Sequence, residues 1–259
     1  MNILLANDDG IDAPGIRALV EELKDDYNLF VSAPHNQCSA QSHHVNYFFA
    51  DIYAEKRDIE GVKEAWAVEG TPADAVYLGL NGLISEPIDL VISGINKGWN
   101  VSTDTIYSGT VQAAIEALIN HVPAIAASQA SFESDDFVDS AKVIHGLIPV
   151  YLAQENHHKY VFSVNVPYIP KEEMKGYKVK TFEKPWYYSN VSTIEKINDK
   201  RICFHTDPDL TRENHGIDNE EGDASNVRKG YIVITPIGVD SVHHYHMDKL
   251  KPLEDMSVK

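Results

Sequence analysis

Asn7-Asp8-Asp9-Gly10 follows directly on the apolar run Ile3-Leu4-Leu5-Ala6. Two adjacent carboxylates at the end of a buried strand cost free energy unless positive charge lies beside or between them. A divalent cation meets that need, because hard carboxylate oxygens are its preferred ligands. Asp-Asp-Gly alone also reads as a turn. What separates the two readings is whether other oxygen-rich loops reach the same place.

The surrounding elements decide that. Residues 2–6, 29–33, 88–93, 124–128 and 160–166 are short, mostly apolar runs that read as strands. Between them, residues 14–24, 71–79, 110–119 and 137–151 carry apolar side chains at helical spacing. Residues 34–46 are polar with neither period and read as a long loop, and 47–69 hold alternating, strand-forming stretches. Continuously apolar strands alternating with helices indicate a mostly parallel sheet covered on both faces, a Rossmann-like, doubly wound α/β layer. In such a sheet, ligands bind outside the carboxyl ends of the strands. The loop after the first strand carries Asn7, Asp8 and Asp9; the loop after the second carries Asn36, Cys38, Ser39 and Ser42; the loop after the third carries Asn96 and runs on to Ser108-Gly109-Thr110. All three are expected on one edge.

Two carboxylates, a hydroxyl and an amide carbonyl, with no Cys or His, suit Mg²⁺ or Mn²⁺ better than zinc. Ser108-Gly109-Thr110 reads as a helix N-cap, and a helix N-terminus also offers free N–H groups to a phosphate. Metal and phosphate cradle together point to phosphoryl chemistry.

Composition limits the remaining possibilities. The 259 residues are 43% hydrophobic, with 12 Pro and 15 Gly, enough for one sizeable α/β domain with an appendage. The predicted boundaries are a catalytic core over 1–170 and, over 171–259, an extended oligomerisation arm or hairpin, a returning strand (231–235) and a short C-terminal helix (241–250). A net charge of −17 argues against nucleic-acid polymers and anionic membranes as partners. Only Cys38 and Cys203 occur, without a disulfide framework, and neither a signal peptide nor a membrane-length apolar stretch is visible, so a cytoplasmic location is expected. The histidine pairs 43–44, 157–158 and 243–244 read as solvated surface residues, although His43 and His44 share the loop of Ser39. The acidic pairs 25–26, 135–136 and 220–221 read as solvated faces or helix ends. Trp186-Tyr187-Tyr188 reads as an interface plug, with base stacking as its alternative.

Five ordered motifs resemble the SurE family: Asn7-Asp8-Asp9-Gly10-Ile11, Pro14-Gly15-Ile16, Gly70-Thr71-Pro72-Ala73-Asp74, Ser93-Gly94-Ile95-Asn96, and Tyr107-Ser108-Gly109-Thr110-Val111. The resemblance is dense over residues 1–130 and returns at Gly230-Tyr231 and Thr235-Pro236. It implies a metal-dependent nucleoside monophosphate phosphatase with one divalent ion (Mg²⁺ or Mn²⁺) per subunit. The family's metal ligands fall on Asp8, Asp9, Ser39 and Asn96, and its phosphate-binding turn on Ser108, Gly109 and Thr110. The resemblance further implies a homodimer or homotetramer built through the C-terminal arm. Three departures stand out. Ala40 follows Ser39 where the family has glycine, Ser102 replaces another expected glycine, and residues 222–226 lack the usual Asp-Thr-Asp pattern. Alanine does not freely take positive φ, so the Ser39 loop is expected to follow a different path.

The expected reaction is hydrolysis of a nucleoside monophosphate by metal-activated water, with Asp8 or Asp9 accepting the water's proton and Asn7 and Asn100 as further substrate contacts. A phospho-aspartate route needs Asp-x-Asp after the first strand, and Asp8-Asp9-Gly10 lacks the second acid at that spacing. The alternative function is a non-catalytic metal- or nucleotide-binding module on the same fold.

Overall fold

A computed structural model describes residues 1–183, 191–198, 200–206, 221–240 and 251. Strands β1 (Asn2–Ala6), β2 (Asn28–Pro34), β3 (Ala54–Arg57), β4 (Val62–Val68), β5 (Leu90–Lys97), β6 (Ala124–Ala130), β7 (Val161–Pro167), β8 (Tyr177–Val179) and β11 (Ile232–Ile237) form one nine-stranded sheet, ordered β3-β4-β2-β1-β5-β6-β7-β11-β8. The pairings from β4 through β7 are parallel, while β3 and β11 run antiparallel to their neighbours β4 and β7. The expected doubly wound α/β layer is thus present. β9 (Val191–Asn198) and β10 (Arg201–Thr206) make a separate antiparallel hairpin, which is the predicted arm in part. The predicted terminal helix over 241–250 and the aromatic run at 186–188 lie outside the described residues.

Helices cover both faces. α1 (Pro14–Leu23) and α5 (Val138–Leu152) pack on one side, where Ile3, Leu5, Ile16, Leu19, Leu23 and Ile144 share a core. α2 (Pro72–Leu78) and α4 (Gly109–Ile119) pack on the other, over Leu4, Phe30, Val91, Val111, Ala114 and Leu118. The alternation of Ile3 and Leu5 to one face and Leu4 and Ala6 to the other follows from the two-residue period of a strand.

The chain runs outward from β1 through β2 and β4, then returns to lay β5 on the other side of β1. The strand order therefore reverses between β1 and β5, the place where an open α/β sheet leaves a crevice. β1 ends at Ala6, just before the Asp8-Asp9 pair. β5 runs four residues past the predicted end at Ser93, because a register irregularity between Ser93 and Asn96 lets the strand continue after Gly94-Ile95. Asn96 is therefore a strand residue and not a loop residue. Two short helices, α3 (Asp104–Tyr107) and α6 (Asp223–Arg228), and the three-residue strand β8 lacked enough periodicity to be read from sequence.

The Ser39 loop is pinned at several points. His35 N–H donates to Val68 O (2.8 Å), Cys38 N–H to Asp8 O (2.7 Å), and Ser42 N–H to Tyr107 O (3.0 Å). A second anchor comes from α2. The carboxylate of Asp74 accepts from the N–H groups of Thr71 (2.9 Å), Asn46 (2.7 Å) and Tyr47 (3.2 Å), fixing the exit of the same loop. Both ends of the loop are thus held. Ala40 takes φ +59°, the left-handed conformation that glycine adopts without strain, and Ser102 likewise takes φ +51°. Alanine's reluctance to take positive φ appears here as a strained residue on a pinned loop.

Left-handed backbone costs a non-glycine residue roughly 1–2 kcal/mol, while glycine's extra unfolded-state freedom offsets about 0.4–1 kcal/mol. Ala40→Gly should therefore raise the thermal midpoint by one to a few degrees, and Ala40→Val should lower it, in paired melting curves. A lower midpoint for Ala40→Gly would contradict strain at this position.

Candidate active site

The reversal point opens into a cavity of about 740 Å³ whose lining includes Asp8, Asp9, Ser39, Asn96, Asn100 and Ser108. Three loop regions and the end of β5 thus bring six of the nine predicted site residues to one space. Asn7, Gly109 and Thr110 do not line it.

Asn7 is buried, and both ends of its amide are spent within its own loop. Nδ2 donates to Gly10 O (2.7 Å), and Oδ1 accepts from Gly10 N–H (3.2 Å). It shapes the turn that presents the aspartates and does not reach the cavity. Thr110 is also fully buried. Its hydroxyl donates to Asp8 Oδ1 (2.5 Å) and its backbone N–H also hydrogen-bonds Asp8, so the start of α4 holds a carboxylate of the protein itself. Gly109 permits that approach, because a Cβ there would lie 2.7 Å from Asp8 Cβ and 2.9 Å from its Oδ2. Of the predicted cradle, Ser108 alone faces the cavity, and its Oγ caps α4 by accepting from Val111 N–H (3.1 Å).

Asp8 is 3% exposed. Burial, reinforced by the neighbouring charge of Asp9 and opposed by the Thr110 hydrogen bonds, pushes its carboxyl up to about 7. Asp9 is also raised, chiefly by burial, although Lys97 N–H (3.2 Å), Gln37 Nε2 (3.4 Å) and the Lys97 charge work against that. Among the described residues neither aspartate forms a salt bridge; the Lys97 ammonium pairs instead with Asp135 at 2.7 Å. The two carboxylates thus lack a counter-charge of their own.

The other donors are set for a cation. Asn96 Nδ2 donates to Gly98 O (2.8 Å), which leaves Oδ1 as the amide atom available to an electrophile. Ser39 Oγ accepts from Gln37 Nε2 (3.1 Å), and Gln37 also bonds Asp9, so one amide links two of the oxygen donors. Among the described residues no cluster of three or more His, Cys, Asp and Glu exists for a metal. A cation here would meet two carboxylates and neutral oxygens only. That set fits a hard ion that keeps part of its water shell, and does not fit zinc.

Other residues around the site carried no sequence signal, because their contacts join distant segments. Asn165 on β7 brackets Asn100, its Oδ1 accepting from Asn100 N–H (2.8 Å) and its Nδ2 donating to Asn100 O (3.0 Å). Asp223, buried at the start of α6, accepts from Ser102 N–H (2.7 Å) and Glu183 N–H (3.0 Å), tying the 99–104 segment to the C-terminal region. His43 does not line the cavity; its Nε2 sits 2.7 Å from the buried Glu116 on α4.

The raised carboxyl of Asp8 gives a signed pH dependence. Its ordinary value is 3.8 and its folded value about 7, so the stabilising, protonated form is lost as pH rises through about 7. Chelator-treated protein should therefore lose stability between about pH 4 and pH 7 from this group. Mn²⁺, which binds the deprotonated form, should raise the melting midpoint more at about pH 8 than at about pH 5. A Mn²⁺ shift independent of pH would contradict this electrostatic picture.

Comparison with known proteins agrees with the geometry. The family model of the survival protein SurE matches residues 3–188. The 5′-nucleotidase SurE of Clostridium botulinum (strain Eklund 17B / Type B) is 37% identical over 257 residues, covering 98% of this chain and 99% of that protein. The 5′-nucleotidase SurE of Clostridium beijerinckii is 39% identical over 244 residues, covering 93% and 94% respectively. The crystal structure of the Sure protein from Aquifex aeolicus superposes with a TM-score of 0.80 at 32% identity, covering 98% of this chain and all of that one. Paired aspartates at the strand reversal, the ordered motifs and likeness along nearly the whole length converge on one conclusion: this chain belongs to the SurE family.

Proposed function

We propose that this protein is a divalent-metal-dependent phosphomonoesterase that hydrolyses nucleoside 5′-monophosphates to nucleoside and phosphate. The observation that carries the reading is the Asp8-Asp9 pair, Asp8 buried and Asp9 half-buried, with no salt bridge to either among the described residues, set where the strand order reverses in a cavity large enough for a nucleotide. Relatives named 5′-nucleotidase over nearly the full length support it.

Asp8, Asp9, Ser39 and Asn96 would hold one Mg²⁺ or Mn²⁺. When bound, that ion supplies positive charge against the phosphate and lowers the pKa of a nearby water. The chain's own groups do the rest. Thr110 locks Asp8 in one orientation through its hydroxyl and N–H, so Asp8 serves as the fixed ligand. Asp9 is less buried and held by longer contacts from Gln37 and Lys97, which suits it to accept the proton of the attacking water. The Ser108 hydroxyl proton, on the cavity wall at the start of α4, would face the phosphate oxygens and oppose their developing charge. Asn100, immobilised by Asn165 and by its bond to Ser128 Oγ (2.8 Å), lines the cavity as a further polar contact.

A non-catalytic role would require the ligand loops to have drifted. Ala40 keeps the backbone conformation of a glycine, and no observation favours that second reading.

The hairpin of β9 and β10 exposes Ile194, Ile197, Ile202 and Phe204, each about half exposed or more. A lone two-stranded hairpin is marginal in water, so these side chains support assembly of a homodimer or homotetramer through this segment. Among the described residues no helix is long and apolar enough to cross a membrane. Two unbridged cysteines fit a reducing compartment, and a cytoplasmic location is proposed on that basis.

Asp8→Asn keeps the shape and the acceptor for Thr110 while removing the charge. It should cut divalent-dependent phosphate release from nucleoside monophosphates by at least about 100-fold, with the melting midpoint retained. Near-normal turnover in a folded Asp8→Asn protein would overturn the mechanism.

A further inference from the structure

The cavity is acidic, yet the reaction assigned to it takes an anion. Four acids line it, Asp8, Asp9, Asp104 and Asp135, against a single basic side chain among the described residues, Lys97. A phosphate monoester brings further negative charge, which this field opposes. One divalent ion does not offset four acids and a phosphate, so the position of the lone ammonium matters.

Lys97 is rooted at the metal-ligand end. It follows Asn96 on β5, and its backbone N–H donates to Asp9 Oδ2 (3.2 Å). Its charge is also close enough to Asp9 to oppose the rise of that carboxyl. The ammonium itself, however, is turned to Asp135 at 2.7 Å.

Asp135 sits on a loop held independently of this pair. Ser131 Oγ accepts from Ser134 N–H (3.1 Å), and Ser134 Oγ accepts from Asp136 N–H (3.0 Å). The buried Gln129 side chain donates to Asp136 O (2.9 Å), and Gln129 is the β6 residue in register with Lys97. Sheet and loop therefore set the spacing of the two partners, not their mutual attraction.

Both side chains are open to water, Lys97 33% and Asp135 65% exposed. An ion pair so exposed contributes little net stability, and lysine carries its charge on a flexible four-carbon stem. Exchange of partner therefore costs little. A phosphate beside the aspartates offers the ammonium more charge than one carboxylate, in a setting with less water to compete. An ammonium closed on Asp9 would instead compete with a cation for that oxygen.

We infer that Lys97 is a substrate-binding residue that exchanges Asp135 for the phosphate of the substrate. Asp135 is its resting partner and keeps the ammonium off Asp9. The inference rests on the phosphomonoesterase reading and adds a phosphate contact to it.

The test measures orthophosphate binding to the full chain at saturating Mn²⁺, alongside AMP hydrolysis and Mn²⁺ affinity without phosphate. Lys97→Met removes the charge and keeps a flexible stem. It should weaken orthophosphate binding and raise KM for AMP, each about tenfold, with kcat affected less and Mn²⁺ affinity not reduced. Asp135→Asn should tighten orthophosphate binding about threefold, and this gain should vanish when Lys97→Met is also present. Unchanged orthophosphate binding in Lys97→Met would overturn the inference. So would a matching loss of Mn²⁺ affinity, which would show that Lys97 only supports Asn96 and Asp9. An Asp135→Asn gain that persists without the Lys97 charge would overturn the exchange of partner as well. If the unaltered protein binds orthophosphate through Lys97 but releases none from AMP, the nucleotidase reading falls while the phosphate contact stands.

Discussion

Burying Asp8 beside Asp9 sets the terms for everything around them. A carboxylate that is 3% exposed must be protonated, hydrogen-bonded or matched by a cation. Thr110 supplies two hydrogen bonds, yet the carboxyl of Asp8 still stands near 7 because burial and Asp9 outweigh them. The nearby Lys97 ammonium does not close on the pair; it is held by Asp135, and only its backbone N–H reaches Asp9. The fold therefore keeps two acids in a low-dielectric crevice short of one positive charge. That deficit is what a bound divalent ion would satisfy, and it explains why the remaining donors are neutral oxygens.

The fold serves this deficit through its connectivity. Reversal of strand order between β1 and β5 splays the following loops and opens the crevice at the strand ends. β1 ends with the aspartates, β5 is prolonged past Ser93 to deliver Asn96, and the loop after β2 is tied to Asp8 itself through Cys38 N–H. α4 closes the floor, and Gly109 is small enough for the helix start to touch Asp8. Each contact positions an oxygen; none neutralises the pair.

Much of this was legible in the sequence, for a physical reason. Continuously apolar strands alternating with amphipathic helices have few ways to pack, so the doubly wound layer followed from β1, β2, β6 and β7 with their helices. Asp8, Asp9, Ser39 and Asn96 could be placed on one edge because the carboxyl ends of parallel strands share it. What escaped depends on contacts between distant segments. Nothing local in Asn7 or Thr110 reveals that the first spends its amide on Gly10 and the second its hydroxyl on Asp8, so both looked like substrate contacts. The continuation of β5 through Gly94-Ile95 hid behind a register irregularity, and Asn165 and Asp223 act from segments more than 60 residues from their partners in the 99–104 region. At Ala40 local preference opposes the observed backbone: alanine avoids positive φ, yet on a loop anchored at His35, Cys38 and Ser42 it takes φ +59°.

The central claim is that the Asp8-Asp9 pair is completed by one divalent cation. Anomalous diffraction from crystals grown with Mn²⁺ tests it most directly. The account predicts a single peak per subunit within coordination distance, about 2.0–2.3 Å, of oxygens from Asp8, Asp9, Ser39 and Asn96. A fully formed crevice with no peak at saturating Mn²⁺, or a peak held by histidines elsewhere, would contradict it.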